Sequence, residues 1–251
     1  MKHVVSYSGG LGSFAAALKV KRRHGEATLI FTDTKTEDPD LYRFIHESAS
    51  KLGFRLDILA DGRDIWQVFE DVRFQGNSRI DPCSRVLKRE LFRKHMEATY
   101  TPEDTVLYFG IDDREAHRMV SIRKNWEPWR TEAPLCDEPM SREQILDELD
   151  TLGVEPPSLY ELGFPHNNCG GFCVKTGQKQ MKLLLEKLPE RYAWHEERQE
   201  RLFEKIGKRH GFIRRTTDGV MAYLSLKEFR ELIERGGKAE GWVEEGCGCF
   251  V

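Results

Sequence analysis

Tyr7-Ser8-Gly9-Gly10-Leu11-Gly12-Ser13 is the stretch on which the reading of this chain turns. It follows the short apolar run His3-Val4-Val5-Ser6-Tyr7 and precedes a helical pattern that begins at Phe14. The local order is strand, glycine-rich turn, helix. Glycines let the backbone turn tightly and bring N–H groups close to an oxyanion, and the helix adds unpaired donors and a positive dipole end. Ser8, Gly9, Gly10, Gly12 and Ser13 are therefore candidate phosphate-binding residues. No lysine follows the glycines as a Walker A loop requires. The plainer alternative is an ordinary strand-to-helix turn that binds nothing.

The pattern around this turn repeats. Phe14, Ala17 and Leu18 share a helical face that Gly25 can close. Ala27–Phe31 is an apolar strand ending at Thr32-Asp33-Thr34, and Pro39 opens a helix carrying Leu41, Phe44 and Ile45. Phe54, Leu56 and Ile58 alternate as a third strand, and residues 105–110 make a fourth. Alternating strands and helices predict an α/β fold, a Rossmann-like parallel sheet flanked by helices. Ligands of such sheets bind beyond the carboxyl ends of the strands, so the loops at Ser8 and Asp33 should face one crevice. Past Leu135 the pattern turns mostly helical. Ile145, Leu149 and Leu152 share one face, Pro156-Pro157 break the chain, and Met181, Leu184, Leu185 and Leu188 share another face. The expected organisation is a nucleotide unit over residues 1–135 and a mostly helical part over 136–251.

A chain of 251 residues with 32% charged side chains can bury a core beneath long solvated helix faces. The net charge of −3 excludes a strongly basic, non-specific nucleic-acid binder. Any such contact must come from Lys208, Arg209, His210, Arg214 and Arg215, which are interleaved with Phe212 and could equally form a solvated face. No apolar run reaches the length of a membrane span and no signal peptide opens the chain, so a cytoplasmic protein is expected. There the six cysteines are reduced, metal-bound or catalytic rather than paired.

Two cysteine regions carry further chemistry. In Cys83-Ser84-Arg85-Val86-Leu87-Lys88-Arg89, three cations fall within one expected helical turn beside a thiol. In His166-Asn167-Asn168-Cys169-Gly170-Gly171-Phe172-Cys173, two cysteines flank a Gly-Gly turn at a spacing suited to a shared metal. Small buried thiols are the alternative. The chain ends with Cys247 and Cys249 between glycines, a tail able to attack a bound sulfur or carry a persulfide.

Strand–SGGxGS–helix resembles the PP-loop superfamily, the ATP pyrophosphatases or adenine nucleotide alpha-hydrolases. Asp33-Thr34 followed by Glu37-Asp38 resembles its phosphoadenosine phosphosulfate (PAPS) reductase branch. The resemblance implies a HUP-type sheet and an adenine nucleotide, ATP with Mg²⁺ or PAPS, at Ser8–Ser13, Asp33, Gly110 and Glu115. Cys83 to Lys88 is similar to the family's Cys-x-x-x-x-Lys stretch, which implies catalytic cations at Arg85 and Lys88, joined by Arg118. A [4Fe–4S] cluster on Cys83, Cys169 and Cys173 is implied too, its fourth position open or filled by Cys136 or His166. Two features depart from the family. Its Cys-Cys pair is Cys83-Ser84 here, and the histidine of its Glu-Cys-Gly-x-His tail is missing.

The expected function is adenylation of a substrate, with pyrophosphate release, followed by sulfur transfer. The acceptor would be tRNA, DNA or a small molecule. PAPS or adenylyl-sulfate reduction, with Cys247 or Cys249 as nucleophile, is the alternative. A nucleotide-sensing module without catalysis is the reading from another class. A homodimer stays open, and no membrane partner is expected.

Overall fold

The computed structural model describes residues 1–217 and 219–240, so Cys247 and Cys249 lie outside the described residues. Its first unit is a five-stranded parallel sheet: β1 (Lys2–Ser6), β2 (Thr28–Asp33), β3 (Arg55–Ala60), β4 (Thr105–Tyr108) and β5 (Arg130–Glu132), in the order β3-β2-β1-β4-β5. The chain leaves β1 toward β2 on one side and returns to β4 on the other. The carboxyl end of β1 therefore lies at the switch point where doubly wound sheets bind ligands.

The central strands are apolar on both faces, as a sheet covered on both sides requires. Val5, Leu29, Phe31, Val106 and Tyr108 pack against α1 (Leu11–His24) and α2 (Pro39–Leu52). The alternate residues Val4, Ile30, Leu107 and Phe109 meet Phe92 and Met96 of α5 (Leu91–Thr99) and Ile122 and Trp126 of α6 (Arg118–Trp126). Period-two alternation thus serves two cores at once.

The remaining helices divide between the two parts. After the one-turn α7 (Pro134–Asp137), α8 (Arg142–Leu152) puts Ile145 and Leu149 into the α1 side of the sheet. The Ser141 hydroxyl accepts the Gln144 N–H and the Gln144 side chain accepts the Ser141 N–H, closing a capping box. A further core joins α3 (Ile65–Val72) to the C-terminal helices α10 (Gln178–Lys187), α11 (Pro189–Ile206) and α12 (Leu226–Glu234). Between these cores run the one-turn α4 (Pro82–Ser84) and the short α9 (Ser158–Glu161). The basic run near residue 210 forms β6 (Ile213–Thr217), paired antiparallel with β7 (Val220–Leu224). Arg209 pairs with Glu200, and Met221 and Tyr223 stay exposed beside Arg214. Among the described residues no helix is long and apolar enough to cross a membrane.

His195 lies at the centre of the C-terminal core. Its Nδ1 accepts the Trp66 indole N–H at 3.0 Å, so its proton sits on Nε2, which has no partner. The ring stacks on Phe172 at 3.9 Å. Burial, with help from Arg191, holds its pKa well below the usual 6.5. The unfolded chain therefore takes up this proton first as pH falls, and stability is lost below pH 6.5. The expected loss is about 1.4 kcal/mol per pH unit until the folded-state pKa is reached. Urea unfolding between pH 7 and 5 should show a shallower decline for His195→Gln than for the wild type; equal slopes would refute this.

Candidate functional site

Between β1 and α1 the backbone makes the turn that glycine allows. Gly9 has φ +74°, and a Cβ there would stand 2.9 Å from Ile45 Cγ2. Gly12 and Gly110 meet backbone to backbone: a Cβ on Gly110 would lie 2.7 Å from the Ser13 nitrogen. Gly110 therefore sets how closely the end of β4 approaches the start of α1. Ser13 Oγ donates to the Gly10 carbonyl at 2.9 Å and lies 3.2 Å from Ser8 Oγ. The five loop residues thus form one turn at a helix N-terminus, the arrangement that binds anions.

Asp33, at the end of β2, is turned inward. Its Oδ1 accepts the Lys35 N–H at 2.7 Å and the Tyr42 hydroxyl at 2.8 Å, and Oδ2 pairs with Lys35 Nζ at 3.0 Å. This bonding shapes the turn. The acid of the same loop that reaches the second chemical centre is Glu37, which accepts the Thr34 hydroxyl at 2.8 Å and the backbone N–H of Cys169. Burial raises the Glu37 pKa, against the pull of Lys88 and of those two bonds.

The Cys169 loop is wound tightly. Cys169, Gly170 and Gly171 have φ of +51°, +57° and +86°. A Cβ at Gly170 would stand 2.9 Å from the Thr36 carbonyl, and one at Gly171 2.6 Å from the Phe164 ring, which explains the glycine pair. Asn167 Nδ2 donates to the Gly9 carbonyl at 3.1 Å, tying this loop to the glycine-rich turn after β1. Arg191 donates to the Gly170 carbonyl at 2.8 Å and pairs with Asp38.

Lys88 is the point of convergence. Its ammonium is buried 3.9 Å from Cys169 Sγ. Burial opposes its charge, but Cys169, Glu37, Cys83 and Cys173 together outweigh that and raise its pKa. The thiols respond in the opposite sense. Burial pushes Cys83 up to about 12, raises Cys173 and raises Cys169 well above the usual range, and Lys88 pulls each one down. Lys88 acts electrostatically on all three thiols, so residues far apart in sequence face one buried ammonium, with Cys169 buried and Cys83 and Cys173 half-buried. His166 joins them: burial and then Lys88 lower its pKa to about 4, leaving a neutral imidazole. Cys136 does not join. Its Sγ points at the carbonyls of Ile111 and Asp112, and the charges that move its pKa are Asp137, Asp112, Asp113 and Arg123.

Residues 85–90 explain why the three cations separate. They form a π-helical turn, wider than an α-helix, between α4 and α5. Lys88 points inward, Arg89 pairs with Asp81 at 2.9 Å, and Arg85 lies exposed near Glu90. The structure does not bring Arg85 into the thiol pocket. Arg118 pairs with Glu115 at the start of α6, beyond the carboxyl end of β4.

Among the described residues no three His, Cys, Asp or Glu gather tightly enough to hold a single metal ion. A multi-iron cluster asks for ligands spread around its corners. Three cysteine sulfurs and a neutral imidazole, all within electrostatic reach of Lys88, are donor types that such a cluster uses.

The chain is similar to a solved phosphoadenylyl-sulfate (PAPS) reductase from Candida auris in a phosphate complex. The identity is 13%, over 65% of this chain and 79% of that one, with a TM-score of 0.44. It is also similar to a predicted subunit of tRNA methyltransferase from Methanocaldococcus jannaschii, at 19% identity over 60% and 76% of the two chains, with a TM-score of 0.37. Nothing matches among the curated proteins. The family model of the phosphoadenosine phosphosulfate reductase domain matches residues 2–210, which take in the phosphate loop and the Cys169 loop. The chain belongs to the phosphoadenosine phosphosulfate reductase domain family.

Proposed function

We propose that this protein activates a substrate with ATP, bound as its magnesium complex at Ser8–Ser13, and then transfers sulfur to it. One observation carries the reading. The loop that holds Cys169 is bonded directly to the phosphate loop through Asn167 and Gly9, with Lys88 beneath it. A reaction at phosphorus and a reaction at sulfur can then share one bound substrate.

In the first step a substrate oxygen attacks the α-phosphorus and pyrophosphate leaves, its charge met by the loop N–H groups. In the second, the outer sulfur of a persulfide, loaded onto one of the three thiols by an external sulfane-sulfur donor, attacks the adenylated carbon, and AMP leaves. A neighbouring thiol then attacks the disulfide formed between enzyme and substrate. This releases the thiolated product and leaves a cysteine disulfide for an external dithiol to reduce. An iron–sulfur cluster bound by Cys83, Cys169 and Cys173 would supply sulfide at an open iron instead. The family match supports a second reading, reduction of a sulfonucleotide, which needs a nucleophilic cysteine.

Both readings need the phosphate loop. A side chain at Gly10 would meet the Tyr160 hydroxyl at 3.2 Å, and a carboxylate there would repel phosphate. Calorimetry with ATP, AMP and PAPS should show nucleotide binding that Gly10→Asp weakens by roughly a hundredfold or more, the equivalent of about 3 kcal/mol. Wild-type protein that binds none of the three would refute the assignment.

A further inference from the structure

The first N–H of α1 is already engaged, and not by the loop itself. Leu11 N–H donates to the hydroxyl of Tyr160 at 3.1 Å, across the whole length of the sheet unit in sequence. Tyr160 reaches this position from α9 in the C-terminal part, and its ring lies under the Arg142 guanidinium at 5.1 Å.

A phenol has one O–H, in the plane of its ring, and its oxygen accepts from the other directions. With the accepting side turned to Leu11, the proton must point elsewhere, and no acceptor among the described residues takes it. Burial raises the Tyr160 pKa, so the hydroxyl keeps this proton through the neutral range. A hydroxyl that lies next to Gly10, caps a helix N-terminus and has an unused donor is placed to bond an anion lying on that helix end.

We infer that Tyr160 is a phosphate-binding residue of the Ser8–Ser13 loop, donated by the C-terminal part. This rests on the phosphate loop proposed above and adds a ligand from outside it.

Tyr160→Phe tests the assignment, since phenylalanine keeps the ring beneath Arg142 and removes only the hydroxyl. Calorimetric titration with inorganic pyrophosphate and with adenosine should show pyrophosphate binding weakened roughly tenfold or more, with adenosine binding within twofold of wild type. A thermal midpoint near that of the wild type shows that the variant is folded. Two outcomes would overturn the inference while leaving the phosphate loop standing. Unchanged pyrophosphate affinity would make the hydroxyl a helix cap only. Tighter pyrophosphate binding would make it a competitor for Leu11 N–H. A wild-type protein that binds no pyrophosphate would overturn the loop and the inference together.

Discussion

Lys88→Met should cost the protein about 1–3 kcal/mol of stability near neutral pH, because it removes the buried cation whose charge favours a nearby carboxylate. The carboxylate is that of Glu37. In the native protein its carboxylate has three stabilising neighbours, the Lys88 charge, the Thr34 hydroxyl and the Cys169 N–H, and burial still raises its pKa. Without Lys88 that pKa rises further. A carboxyl whose folded pKa is raised contributes stability below its unfolded value and loses it as pH climbs through the folded one. The penalty should therefore be larger at pH 8 than at pH 5, where Glu37 can stay protonated. Urea unfolding of wild type and variant at the two pH values measures this; a penalty independent of pH would mean that Glu37 does not depend on Lys88. The same substitution should stop sulfur transfer, since each pocket thiol loses the charge that pulls its pKa down.

Cys169→Ser has the second large effect, and it falls on function rather than stability. Serine can keep the +51° backbone and the N–H bond to Glu37, so the loop should hold its shape. Its hydroxyl cannot carry a persulfide or serve as a soft thiolate ligand. Thiolated product should fall about a thousandfold or more, the scale lost with a nucleophile (about 4 kcal/mol in barrier), while ATP affinity stays within threefold. Mass spectrometry of the product and calorimetry of the nucleotide read the two quantities separately. Equal loss of both would assign Cys169 to loop architecture alone.

The sheet was legible because its signals are local. Val4-Val5, Leu29-Ile30-Phe31 and Val106-Leu107-Tyr108 are short apolar runs bounded by turns, and Gly9 to Ser13 follow the first of them. Cys169 and Cys173 are legible as a pair from their spacing, whereas Cys83 faces the same Lys88 only through tertiary folding that no local pattern announces. The cations at 85–89 were misjudged as one cluster for a definite reason. An α-helical turn would put Arg85, Lys88 and Arg89 together, but the π-helical turn separates them and buries Lys88 alone. The structure shows Asp33 satisfied within its own turn and Glu37 bonded across to Cys169. Tyr160 and Asn167 gave no signal at all, because each acts through one hydrogen bond to a distant backbone. The arginine-rich β6 lacks the apolar alternation that marks a half-buried strand.

The central claim is that the phosphate loop and the thiol pocket form one ATP-dependent sulfur-transfer site. Its most direct test is to incubate the full-length, anaerobically prepared protein with ATP and candidate acceptors, or with PAPS and a dithiol, and to measure pyrophosphate and sulfite in each. Pyrophosphate formed from ATP in step with thiolated acceptor, with no sulfite from PAPS, is the predicted result. Sulfite released from PAPS, with ATP left intact, would contradict it and make the protein a sulfonucleotide reductase.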